Sequence, residues 1–418
     1  MRLGQTFTAF LSWALVASAT ILENGQVREN AYPGQLQPVT LDDSWRNYPA
    51  DAPEISYKGR WDSQHISWWS APGIKVEFSG EKLAVHFGPS TNTGVLVAYR
   101  IGSLDWQFSN VTASSTYQFV GPESELKDGD EPVEKNTFEM RVQIAGVAVA
   151  NDAVLTKPPT FEKRVEIIGG SLASGQFATY ETLSSWSFLF ANGLGNVEYG
   201  ITVSPPILKN PRFDMLTVSQ AYPGVCLADE QCYNGGSRGV GWYWHRASDP
   251  GSRAHSIYDR SPEKWDVKAE QPADLVIIQM GGNDHRKPNE IPGRDYYHAY
   301  VDLVEDIHSN WPNAIIILMS QWGGFTKEGK KYVGSTYYQE ETREVNEHFK
   351  DRGFVYYFPT EGLLQHNDIN PKNHLTDVGH VKIASHLLQW VKLILRWNLE
   401  PTGEVAAGTT YWNDQQEY

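Results

Sequence analysis

The chain has 418 residues, 40% hydrophobic and 20% charged, with a formal net charge of −15. That length holds two domains and a sizeable core, and the acidic balance argues against a nucleic-acid groove or an anionic membrane as partner. A neutral substrate fits better, and the 15 Trp and 21 Tyr offer candidate stacking platforms for sugar rings alongside ordinary packing.

Arg2, the mostly apolar run Phe7 to Val16 and the small residues Ala17-Ser18-Ala19 read as a secretory signal over residues 1–19. The mature chain then begins near Thr20 and is expected to be extracellular. Cys226 and Cys232 are the only cysteines. In a secreted chain they are expected to pair, and two thiols without further spaced ligands make a poor metal site. Asn110-Val111-Thr112 is an N-glycosylation sequon, expected in a loop. Residues from about 21 to 60, rich in Pro, Asn and Asp, are expected to wrap the surface.

A β-rich region follows. Ile74, Val76 and Phe78 alternate with polar residues, Ser79-Gly80-Glu81 turns, and Leu83, Val85 and Phe87 alternate again, a hairpin signature. Further short strands are expected at 95–101, 106–108, 117–120 and 140–144. The pattern predicts a β-sandwich over residues 20–156, ended by the stiff linker Lys157-Pro158-Pro159-Thr160.

From 161 to 400 strands alternate with helical stretches, the pattern of a parallel sheet with helices on both faces. Strands are expected near 164–168, 213–219, 274–280, 313–319 and 354–358, and helices near 177–194, 294–310, 338–350 and 377–397. The tail 401–418 lacks apolar periodicity.

Four segments should meet at the carboxyl edge of that sheet. Val165 to Ile168 is an apolar strand followed by Gly169-Gly170, which puts Ser171 at the tip of a strand-to-helix turn near backbone N–H groups. A second strand ends in a loop holding Gly224, whose N–H a substrate can approach closely. The run Leu275 to Met280 ends in Gly281-Gly282-Asn283-Asp284, where the Asn283 amide can donate to an oxyanion and Asp284 can brace the turn. His374, in the loop entering the last helix, is a candidate general base, with His366 and His380 as competitors. His380 falls inside the expected helix, where packing suits it better. His285 is expected in a solvated loop. Trp322, after a strand at the same edge, suits either sugar stacking or packing.

With these blocks in place the chain resembles the SGNH (GDSL-type) hydrolases, and most closely the two-domain carbohydrate esterases of family two, the acetyl xylan esterase-like proteins. The resemblance implies an N-terminal jelly roll joined to a three-layer α/β/α SGNH hydrolase domain. It implies Ser171 as nucleophile, His374 as base, and an oxyanion hole made by the Ser171 N–H, Gly224 and Asn283. It implies no cofactor and an acetylated polysaccharide, xylan- or mannan-like, as substrate. A lipase or general acyl-ester hydrolase, and a carbohydrate-binding protein with a degenerate SGNH domain, are the rival readings. Two departures stand out. Gly170 occupies the position where the family usually has aspartate. Pro371 and Lys372 stand where an aspartate usually precedes the histidine. Either Asp368 serves as third member, or a backbone carbonyl orients His374 in a Ser-His dyad.

Overall fold

The computed structural model describes residues 36–397 apart from 93–94, 103–106, 123, 125–132, 138–141, 195–196, 203–223, 231, 233–236, 249–256 and 258–261, together with two short strands near the N-terminus. The expected signal 1–19, the strand at 213–219 and the tail 401–418 lie outside the described residues.

The first half is β structure. After the paired β1 (Leu22–Glu23) and β2 (Gln26–Val27) come β3 (Trp45–Pro49), β4 (Ser56–Lys58), β5 (Ile66–Ser67), β6 (Gly73–Phe78), β7 (Leu83–Phe87), β8 (Val95–Ile101), β9 (Gln107–Val111), β10 (Thr116–Val120), β11 (Val133–Thr137), β12 (Val142–Ala150) and β13 (Leu155–Thr156). They form two antiparallel sheets. One runs β10-β7-β12-β3 with β5 on β12, and the other β13-β6-β11-β8-β9 with β4 on β6. The expected hairpin is corrected here. β6 pairs with β11, and β7 pairs with β10 and β12. Ile74 and Val76 from one sheet meet Leu83, Val85 and Phe87 from the other in a single core cluster. Two adjacent alternating strands that bury their apolar faces against each other must belong to opposite sheets. The segment expected to wrap the surface likewise contributes β3 and β4. Asn110 lies within β9, opposite Leu96, rather than in a loop.

The second half is built on a five-stranded parallel sheet. Its strands are β14 (Lys163–Gly169), β15 (Val197–Thr202), β16 (Leu275–Gln279), β17 (Ile315–Met319) and β20 (Val355–Phe358), in the order β15-β14-β16-β17-β20. β16 is buried at every position, as expected for a strand covered on both faces. Successive side chains alternate between two clusters. Val276, Ile278, Ile316 and Leu318 join Tyr296, Tyr300 and Phe349. Leu275, Ile277, Ile317 and Met319 join Trp186, Phe190 and Leu387. The helices are α1 (Trp186–Gly193), α2 (Val240–Trp244), α3 (Gly282–His285), α4 (Gly293–Asn310), α5 (Gln339–His348) and α6 (Asp377–Trp390).

The expected helix at 177–194 is shortened to α1, preceded by turns and a 3₁₀ segment at Glu181–Ser184. Phe177 sits at φ +72°, which no right-handed helix admits. Ser185 accepts a hydrogen bond from the Phe188 N–H and so caps α1 at its true start. A long antiparallel hairpin, β18 (Gln321–Glu328) with β19 (Lys331–Tyr337), rises beyond β17.

The two halves are locked by buried polar contacts. Arg60 Nη2 lies 2.8 Å from Glu166 Oε1, with side chains 3% and 0% exposed. Arg60 Nη1 also donates to the Trp244 carbonyl, and Trp69 Nε1 donates to the Ala247 carbonyl at 3.0 Å. Burial pulls the Arg60 guanidinium down from its ordinary value, and the Glu166 carboxylate opposes that shift. Arg164 Nη2, 3.6 Å from Glu166 Oε2, is a second buried partner of the carboxylate, so removing Arg60 weakens its pairing without abolishing it. Arg60→Met is expected to lower stability by about 1–3 kcal/mol in urea unfolding, the cost of buried polar groups losing one of their partners.

Candidate active site

The sheet order reverses between β14 and β16, because β15 lies to one side of β14 and every later strand to the other. In open parallel sheets the crevice beyond the carboxyl ends at such a switch is where ligands bind. Ser171 follows β14 and Asn283 follows β16, so the two expected site residues flank that crevice. A cleft of ≈ 550 Å³, counting its open mouth, is lined there by Ser171, Asn283 and His374 together with Gln279, Gln321 and Trp322.

His374 Nε2 stands 2.9 Å from Ser171 Oγ. Its Nδ1 stands 2.9 Å from the Lys372 carbonyl oxygen. A carbonyl only accepts, so Nδ1 carries the proton and Nε2 presents its lone pair to the serine hydroxyl. Burial pulls His374 below the ordinary histidine value. The Lys372 carbonyl opposes this, and the positive charge of Arg286 adds to it. The ring edge of Phe177 packs against the imidazole at 5.0 Å between centroids.

The loop carrying His374 is held from within. Asn370 Oδ1 accepts from the Lys372 N–H at 2.8 Å and from the His374 N–H at 3.2 Å. Asn370 N–H in turn donates to the His374 carbonyl at 2.7 Å. These bonds point the Lys372 carbonyl at the ring. Asp368 does not serve as a third member. Its Oδ2 accepts from the Gln365 N–H at 2.7 Å and from Lys382 Nζ at 2.7 Å, so its carboxylate is spent on the base of the loop. Its backbone carbonyl ties down the Thr376 N–H at 2.8 Å. Asp368 supports the loop, and the backbone orients the ring.

On the oxyanion side, Asn283 Nδ2 donates to the Val225 carbonyl at 2.8 Å. An amide nitrogen has a second hydrogen, and Asn283 lines the cleft. Gly224 is buried at φ +103°, a conformation that strains any side chain. Val225, not Gly224, lines the cleft. Asp284 is fully buried and accepts from the Leu227 N–H at 2.9 Å and the Ala228 N–H at 3.1 Å. Desolvation pushes its carboxyl up to about 6 against those bonds. The brace expected of Asp284 thus holds the Gly224 segment to the Asn283 turn. The Cys226–Cys232 disulfide, Cα–Cα 6.0 Å, closes the same segment, and Asn289 Nδ2 reaches Cys232 Sγ at 3.2 Å and the Asn283 carbonyl at 3.1 Å. At Gly170 an added Cβ would lie 3.6 Å from Asn283 Nδ2, ordinary contact, so the position has room for a side chain.

The competing histidines are accounted for. His380 is buried, and its Nδ1 accepts from the Trp186 N–H at 3.0 Å. Burial pushes it down to about 3, so it stays neutral and structural. His366 stacks on Tyr332 at 3.9 Å. His285 ends α3 and stacks on Tyr337 at 4.1 Å. Trp322 is 5% exposed, packs in the core and also lines the cleft. Sequence reading missed Gln279, Arg286, Gln321 and Tyr337 as lining residues. Gln279 and Arg286 had a signal, since they bracket Gly281-Gly282-Asn283. Gln321 and Tyr337 belong to the hairpin, which nothing in the pattern announced.

Because the lowered value keeps His374 neutral through the neutral range, activity is expected to be flat there. It should be lost only as pH falls through a point below the ordinary histidine value of 6.5. A kcat/KM–pH profile checks this. Arg286→Gln, which removes the cation, should move the acid limb upward.

Residues 228–387 match the GDSL-like Lipase/Acylhydrolase family. No curated protein matches the sequence. Among solved structures the chain is similar to a family two carbohydrate esterase from Cellvibrio japonicus, with 16% identity and TM-score 0.62 over 85% of this chain and 99% of that one. It is similar to a family two carbohydrate esterase from Clostridium thermocellum in complex with cellohexaose, with 19% identity and TM-score 0.59 over 82% and 100% of the two chains. It is also similar to an acetyl xylan esterase from the rumen bacterium Butyrivibrio proteoclasticus, with 14% identity and TM-score 0.58 over 85% and 100%. Residues 228–387 are thus similar to the GDSL-like lipase/acylhydrolases, and the chain shares the fold of the family two carbohydrate esterases.

Proposed function

We propose that the protein is a serine esterase that removes acetyl groups from polysaccharide through an acyl-enzyme. The observation that carries this reading is the 2.9 Å contact between Ser171 Oγ and His374 Nε2 in an open cleft, with Nδ1 on the Lys372 carbonyl. His374 takes the Ser171 proton as Oγ bonds to the acetyl carbonyl carbon. The oxyanion that forms is stabilised by the Ser171 N–H and the second hydrogen of the Asn283 amide, and the Gly224 position expected for a third donor lies behind Val225 in the cleft wall. The intermediate collapses, the sugar oxygen leaves with the proton from His374, and acetyl remains on Ser171. Water, deprotonated by His374, then attacks the acyl-enzyme, and acetate departs as Ser171 recovers its proton. The imidazolium is stabilised by a carbonyl dipole rather than a carboxylate charge, so the dyad is expected to be slower than a full triad.

The likeness to a cellohexaose-bound esterase and an acetyl xylan esterase supports a glycan substrate. The two antiparallel sheets around one core fit a jelly roll over residues 20–156 joined to a hydrolase domain over 161–400. The disulfide and the sequon at Asn110 fit a secreted, extracellular protein processed after residue 19. Long-chain lipase activity and sugar binding without turnover are the rivals. Acetate release from acetylated xylan should fall by roughly 10⁴-fold or more in Ser171→Ala. On a ladder of 4-nitrophenyl esters the wild type should prefer acetate, and a preference for long chains would instead mark a lipase.

A further inference from the structure

The chain as a whole is strongly acidic, yet the cleft is not. Among the described residues its lining holds two cations, Arg286 and Lys372, and no Asp or Glu. Both side chains are exposed. Arg286 stands three residues after Asn283 on the turn that follows β16, and Lys372 stands two before His374, so each charge is carried by a segment that also holds a site residue. The Lys372 backbone is fixed by its carbonyl on His374 and its N–H on Asn370, which roots its side chain at the rim of the cleft. Glu361 lines the adjoining cavity past Trp322 and Gly323. It accepts from the Tyr357 hydroxyl at 2.8 Å and pairs with Arg343 at 3.6 Å.

Range decides what a ligand feels. At physiological salt, charges more than about 8 Å away are largely screened at an exposed site. A group bound in the cleft therefore responds to Arg286 and Lys372, not to the net charge of −15. The charge of Arg286 already reaches the imidazole, since it helps hold His374 low. A guanidinium offers paired, planar donors that match a carboxylate.

We propose that the preferred substrate is an acetylated glycan carrying a carboxylate, as in a uronic-acid residue close to the ester, met by Arg286 and Lys372 at the mouth of the cleft. This rests on the esterase reading above.

The test compares kcat/KM on acetylated xylo-oligosaccharides that carry one glucuronic-acid residue with the same oligosaccharides after carboxyl reduction. At low salt the wild type should favour the anionic form by roughly three- to tenfold, the scale of two exposed ion pairs. That preference should shrink toward unity as sodium chloride is raised to about 0.5 M, where screening is nearly complete. The salt series needs no variant, so it does not depend on how a substitution folds. In Arg286→Gln/Lys372→Gln the preference should vanish at every salt. Equal low-salt rates on the two forms overturn the proposal while leaving the esterase reading intact. An equal fall on both forms in the double variant also overturns it, because the cations then serve departing acetate or the fold rather than the glycan. Absence of acetate from both forms removes the esterase reading and this inference with it.

Discussion

Between the Lys372 carbonyl and His374 Nδ1 runs the contact on which the remaining chemistry depends. It chooses the tautomer that leaves Nε2 basic, and it sets the ring plane that aims Nε2 at Ser171 Oγ. The geometry is imposed by the loop rather than by a distant charge. Asn370 gathers two N–H groups of that loop on one oxygen, and Asp368 anchors its base to Lys382 and Gln365. A dipole holds the imidazole with less energy than a carboxylate would, and burial disfavours the imidazolium further. In the proposed mechanism this arrangement keeps the imidazole neutral, at the expense of weaker support for its charged state.

The sheet supplies the other half of the geometry. β14 is buried from Arg164 onward, its Glu166 charge met by Arg60, and its end releases Ser171 at the point where strand order reverses. β16 releases Asn283 on the neighbouring side. The oxyanion side is then assembled by cross-bracing. Asp284, Asn289 and the disulfide bind the segment around Gly224 and Val225 to the Asn283 turn. A buried carboxylate spent on backbone N–H groups is a costly brace, and here it joins the segments that bring Val225 and Asn283 to the cleft.

Much of this was legible in the sequence, for definite reasons. Runs such as Leu275 to Met280 have one physical destination, a strand covered on both faces, and the glycines after them must turn. Ser171, Asn283 and His374 could therefore be placed at one edge before any coordinates. Other features hid because their cause is tertiary. The β6–β7 hairpin failed because alternation reports that a face is buried, not which sheet buries it. Asp368 was a candidate by proximity along the chain, but its partners, Lys382 and the Gln365 N–H, are set by how the loop folds back. The orienting group of His374 is a main-chain oxygen, which has no signature in residue identity. The β18–β19 hairpin, with β19 exposed along most of its length, lacks the burial that makes a strand readable. The two cations at the rim, Arg286 and Lys372, were hidden because a sum over 418 residues says little about charge at one place.

The most direct test of the central claim is covalent capture of the nucleophile. Treatment with a small 4-nitrophenyl phosphate triester, followed by peptide mass mapping, should place a single phosphoryl adduct on Ser171. The labelling rate should fall as pH drops through the lowered His374 value, and His374→Ala should label negligibly. An adduct on another serine, or equal labelling of Ser171 in His374→Ala, would contradict a hydroxyl activated by that imidazole.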